Sequence, residues 1–174
     1  MTMPRRVRRL ALTAHVASSV GWLGAVAGSL ALAVAGLTSE DAQTVRAAYL
    51  ALELTAWFVL VPLSLASLAT GLVQSLGTTW GLFRHYWVLF KLLGTVVATV
   101  LLLTYLRTLG TLADVAATAG PDLGGLRSPS PVLHAGAALV LLLVATALAV
   151  YKPRGVTPYG QRKREHERRR LPVP

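Results

Sequence analysis

Four long apolar runs limit what this chain can become: Leu10–Leu37, Ala47–Leu76, Tyr86–Leu106 and Val132–Tyr151. Each reaches or approaches the roughly 20 residues that carry an α-helix across ~30 Å of hydrocarbon. None alternates polar and apolar residues as a barrel strand does. With 54% hydrophobic and only 14% charged residues among 174, the chain is too apolar for a soluble domain of this size. Lipid offers backbone polar groups no partners, so each run must satisfy its own as a helix. The expected fold is all-α, an integral membrane four-helix bundle over residues 1–151 with spans at about 7–37, 42–76, 84–112 and 132–151. A basic tail follows at 152–174. The first run has basic residues before it and Ala33-Val34-Ala35 ahead of Gly36, as a signal peptide might. Its apolar stretch exceeds the usual 7–15 residues of such a segment, so it is read as a retained span.

Basic residues give the expected orientation. Arg5, Arg6, Arg8 and Arg9 precede the first span, Arg84 lies in the second loop, and the tail is rich in Lys and Arg against Glu165 and Glu167. The first and third loops hold Glu40, Asp41, Asp114 and Asp122, with Arg46, Arg107 and Arg127 as their cations. Positive charge collecting on one side predicts that side to be cytoplasmic, with both termini there. The net charge of +10 is then a topology signal and an attraction to anionic lipid headgroups. This account of the basic tail is preferred to nucleic-acid binding. A composition in which Arg far outnumbers Lys, with abundant Ala, Leu, Val and Gly, resembles that of proteins from high-GC bacteria and suits a bacterial plasma membrane protein.

The chain has no cysteine, which excludes disulfides, iron–sulfur clusters, thiolate metal sites and covalently attached haem. No nucleophile–base pair, phosphate loop or zinc spacing is present. The chemistry must therefore come from polar residues inside the spans, which are expensive there and mark candidate sites. At 100° per residue, His15, Ser18, Ser19 and Trp22 share one face of the first span. Ala17, Gly21, Gly24 and Gly28 lie roughly opposite, a small-residue strip that allows close helix approach. In the second span Glu53, Trp57, Ser64, Ser67, Gly71, Gln74 and Ser75 fall within about 60° of one line, a stripe expected to face the bundle. Pro62 is expected to kink that helix.

The third span opens with Trp80, Phe83, Tyr86 and Trp87 beside Arg84 and His85, the aromatic and basic marks of a headgroup layer. Lys91 lies on a face with Trp87, Gly94, Thr95, Ala98, Leu102 and Tyr105. His85 is about 120° away from that face and is assigned to the interface. Lys91 has two readings. It snorkels to the headgroups, or it serves an internal site. The third loop, Asp114–Pro131, reads as irregular external chain. In the fourth span His134, Ala138, Leu141, Ala145 and Ala149 form a track suited to a helix contact or to a slot for a flat ligand.

Two polar clusters result: an inner one of His15, Ser19, Gln74, Ser75 and Lys91, and an outer one of Glu53, Tyr105, Arg107 and His134. Bundles build cofactor sites from facing helices, and an intramembrane histidine is a known haem ligand. His15 and His134 differ too much in depth to clamp one haem, and the facing argument disfavours His85. His15 with Lys91, or a single histidine, remains.

His15 followed seven residues later by Trp22-Leu23-Gly24, and Trp87 four residues before Lys91-Leu92, resemble the two motifs of the HemJ-type protoporphyrinogen oxidases and the related copper-resistance D membrane proteins. The resemblance implies b-type haem bound through His15 and Lys91. Leu89 stands where HemJ proteins carry a further histidine. As a whole, chiefly through GTTWGLFRHYWVLFK and YKPRGVTPYG, the chain resembles four-helix membrane proteins of actinobacteria. The candidate cofactor-binding residues are His15, Lys91, Trp22, Ser19, His85 and His134, with His15 as the metal ligand.

Three readings follow. The first is a haem b protein in electron transfer or redox sensing, with a membrane redox partner. The second is a scaffold or homo-oligomer packed through the Gly/Ala strips. The third is a small proton-coupled carrier using Glu53, His134 and Lys91.

Overall fold

A computed structural model describes residues 3–77, 82–118, 124–153 and 155–169. Trp80 and Asp122 lie outside the described residues. Four helices are long and apolar enough to cross a membrane: α1 (Arg5–Thr38), α2 (Ala42–Gly77), α3 (Tyr86–Thr118) and α4 (Ser130–Tyr151). A short fifth helix, α5 (Pro158–Arg169), follows. Among the described residues there is no strand, only an isolated antiparallel bridge between His85 and Val156. α3 runs past the expected end near Leu112 to Thr118.

Short connections make the four long helices run alternately up and down. α1 packs on α2 and α4, and α3 packs on the same two, so α1 and α3 stand diagonally across a ring. Most basic residues thereby gather at one end, while the acidic ones lie at the other beside Arg46, Arg107 and Arg127. Arg5–Arg9, Arg84 and Lys152 gather at a basic end, and Glu40, Asp41 and Asp114 at an acidic end. The outward surface is largely apolar: Phe58, Phe90, Leu133 and Val150 are each more than 60% exposed. That is the wrong surface for water and the right one for lipid.

The tightest packing lies toward the acidic end. Trp22, Val26, Ala33, Val45, Tyr49, Leu52, Leu106 and Leu109 form one buried cluster there. Gly36 lets α2 close on α1, since a Cβ on it would sit 3.1 Å from the Tyr49 ring. Asp41 caps α2, its carboxylate accepting from the Thr44 amide at 2.8 Å and the Thr44 hydroxyl at 2.6 Å.

The described part of the third loop is not free chain. Leu126 is fully buried, and its carbonyl accepts from the Tyr49 hydroxyl. Arg127 donates to the carbonyls of Leu37 (3.2 Å) and Ser39 (3.0 Å). A guanidinium there meets the orphan carbonyls and the negative pole of the α1 C-terminus.

Two more expectations need correction. α2 carries a π-helical turn at Ala56–Leu60, with the Val61 amide donating back to the Ala56 carbonyl. It directly precedes Pro62, whose ring nitrogen cannot donate to the ladder. The wider turn breaks the constant phase on which the polar stripe was drawn. Trp57 consequently faces outward, 51% exposed, while Ser64 and Ser67 are buried.

His85, assigned from the sequence to the interface, is covered by the chain's own tail rather than exposed. It is buried where the chain after α4 returns: Tyr86 donates to Gly155 (3.3 Å) and Thr157 to the Arg84 carbonyl (3.0 Å). Gly160 fits against this tie with no room to spare, because a Cβ there would fall 2.5 Å from the Arg84 carbonyl oxygen.

Candidate functional site

The interior toward the basic end is built differently from the packed end. His15, Ser19, Lys91, Gly94 and Thr95 face inward yet remain half-buried. α1 and α2 meet there through polar contacts. Ser19 and Ser67 share a hydroxyl hydrogen bond of 2.8 Å, and Gln74 donates to the Ala11 carbonyl at 2.9 Å. The polar stripe of α2 thus finds its partners on the polar face of α1, as a low-dielectric setting requires.

His15 is the centre of this contact. Its Nδ1 lies 3.2 Å from the Ser67 carbonyl oxygen and 3.1 Å from Thr70 Oγ1. A carbonyl only accepts, so Nδ1 carries the proton and donates. Thr70 is consistent with this, since its hydroxyl donates to the Ala66 carbonyl at 2.6 Å and keeps a lone pair for His15. Nε2 is then the unprotonated nitrogen. The ring lies against Gly71, where a Cβ would approach Cε1 to 3.1 Å. Sequence reasoning had placed Ser67 and Gly71 on this face but missed Thr70, which is one turn from Ser67 and therefore was within reach of the same periodicity.

Lys91 stands on α3, diagonally across from α1. The Lys91 ammonium forms no hydrogen bond or ion pair among the described residues. His15, Ser19 and Gln74 are thus joined along the α1–α2 contact, with Lys91 on the diagonal helix α3. Trp22 is buried two turns further along α1, on another level, and His85 belongs to the tail contact.

The outer cluster is only partly assembled. Tyr105 and His134 stack with ring centroids 3.9 Å apart and planes 13° from parallel. Their common partner is Ser130. Tyr105 OH lies 3.0 Å from its hydroxyl, and His134 Nδ1 donates to its carbonyl at 2.9 Å. Arg107 is exposed on the outer side of α3. Glu53 lies over Gly110, its Oε1 3.6 Å from where a Cβ would stand. No hydrogen bond or ion pair among the described residues joins Glu53, His134 and Lys91, the groups a proton-coupled carrier would use.

His15 shares one hydrogen-bonding feature with ligating histidines. A ligating histidine characteristically donates its other ring N–H to a carbonyl or carboxylate, which fixes the tautomer and orients the ring; the Ser67 carbonyl does this here. Among the described residues no three His, Asp or Glu side chains gather to hold a bare metal ion.

The class defined by these features is a polytopic, all-helical bundle with helices of membrane-spanning length. Comparison of the chain with protein families, curated proteins and solved structures finds no match.

Proposed function

We propose that this protein is a b-type haem protein of a bacterial plasma membrane, with both termini cytoplasmic, serving electron transfer or redox sensing. One observation carries the reading: the His15 imidazole is held by Nδ1 to the Ser67 carbonyl, leaving Nε2 with a lone pair inside a spanning bundle. Bound haem would supply one-electron chemistry. The chain's own part is to orient His15 through Ser67, Thr70 and Gly71. Lys91, facing from α3, would serve either as second ligand through its deprotonated amine or, protonated, as counter-charge to a propionate. The resemblance of the two short motifs to HemJ-type proteins points the same way. The basic end would lie against anionic headgroups, consistent with the positive-inside tendency.

The test is an absorbance spectrum of protein purified in detergent from haem-replete cells. A Soret band is expected, lost in His15→Ala and retained in His134→Ala. No band, or a band indifferent to His15→Ala, ends the proposal.

A second reading, self-association, is favoured by a separate observation. A Cβ at Gly24 or Gly28 would meet nothing within 4 Å, so this part of the strip is unused inside the chain and faces outward. Gly24→Leu with Gly28→Leu should abolish chemical cross-linking of a dimer in membranes if that reading holds.

A further inference from the structure

A cavity of about 160 Å³ lies between the four long helices, removed from His15 toward the acidic end. Its lining is nearly all hydrocarbon. Leu52, Leu102 and Leu141 form part of it, and Ala98, Ala135 and Ala138 keep one side shallow. The alanine track of α4 is what leaves this space, because larger side chains there would close it. A preformed apolar void of about 150 Å³ accommodates a benzene-sized ring. The stacked Tyr105–His134 pair, planes 13° apart, gives the cavity a flat aromatic wall.

Few polar groups interrupt the hydrocarbon: the Ser29 and Tyr105 hydroxyls, bonded to the Ala25 carbonyl and to Ser130, the His134 ring and the Trp22 indole. His134 donates through Nδ1 to Ser130, so its Nε2 is a hydrogen-bond acceptor. Trp22 lines the same space, and its indole N–H has no hydrogen-bond partner among the described residues. His134, Leu101 and Ala137 all line the cavity and are exposed on the outside of the bundle. The mouth therefore opens between α3 and α4, on the surface that faces lipid.

We infer that this cavity binds the ring of a lipid-soluble phenol, the chemical class that includes quinol headgroups. The ring fills the hydrocarbon space against Tyr105, the phenolic O–H donates to His134 Nε2, and ring oxygen can accept from the Trp22 indole. Entry is lateral, from the bilayer. The inference is independent of haem at His15, which lies at another level of the bundle.

The experiment is a calorimetric titration of the full chain in detergent with 4-propylphenol, with empty micelles as blank and 4-propyltoluene as the comparison lacking the hydroxyl. Saturable binding of the phenol is expected, and Ala138→Phe, which fills the cavity, should abolish it. His134→Ala, at the lipid-facing mouth where folding is least at risk, should weaken it by about threefold to tenfold, the loss of one hydrogen bond. The toluene should bind the native chain about as weakly as the phenol binds His134→Ala. Absence of heat above the blank overturns the inference. So does equal affinity for the two probes, or binding that neither substitution changes.

Discussion

His15 shows how one side chain in a low-dielectric interior is fixed from several directions. The Ser67 carbonyl chooses its tautomer, Thr70 shares the proton, and the absence of a side chain at Gly71 sets how near the ring comes to α2. Gly71→Val should push the ring off its seat and cost about 1–3 kcal/mol in stability, the usual range for overpacking. A lower melting temperature together with a weakened Soret band is the expected pair of readings. Asp41 offers a pH-dependent case outside the spans. Hydrogen bonds from Thr44, and from the Gln43 amide, hold its carboxyl below the ordinary carboxylate range. The folded state thus binds this proton less tightly than the unfolded chain. The cap's contribution is present above the unfolded value of about 4 and is lost as pH falls through the depressed folded one. Asp41→Ala should lower the melting temperature at neutral pH, with the gap from the native chain closing below about pH 4.

At the scale of elements, α2 carries the main departure from regular periodicity. The apolar pattern and the polar stripe were both legible in the sequence, and so was Pro62 as a disturbance. That the disturbance takes the form of a π-turn was not, because a helix can answer a missing N–H by kinking or by widening one turn. The choice decides where Trp57 points. Pro62→Ala restores the amide and lets the ladder close without the extra residue, which rotates the preceding segment by about 100°. In a variant with Trp57 as its single tryptophan, quenching by brominated lipid should be strong with Pro62 and clearly reduced with alanine there. The loop and the tail show a similar limit. Glycine, proline and charge mark both as non-spanning, yet Leu126 is buried and Gly160 is pressed against Arg84. Such docking depends on surfaces that exist only once the helices have assembled.

For the whole molecule, charge and hydrophobicity are divided along different directions. Most of the basic charge lies at one end of the bundle axis, while the apolar surface encircles it. Because the chain has no cysteine, single introduced thiols report orientation without a background. Glu40→Cys at the acidic end should react with an impermeant maleimide in intact cells, and Tyr159→Cys in α5 should react only after the membrane is opened. The opposite pattern would reverse the orientation proposed from the positive-inside tendency.

The sequence by itself determined the number of long helices, their inward faces on α1 and α3, and the gathering of basic residues at one end. Each of these is local: a backbone in lipid must close its own hydrogen bonds, and a side chain's bearing follows from its place in the turn. Only the tertiary structure decided which of the inward groups meet. His15 finds Ser67 and Thr70, Tyr105 finds His134, and Arg107 and Trp57 turn away. These meetings depend on the order of helices around the ring, on a single widened turn and on how far glycines let neighbours close, none of which is written in the period of one helix.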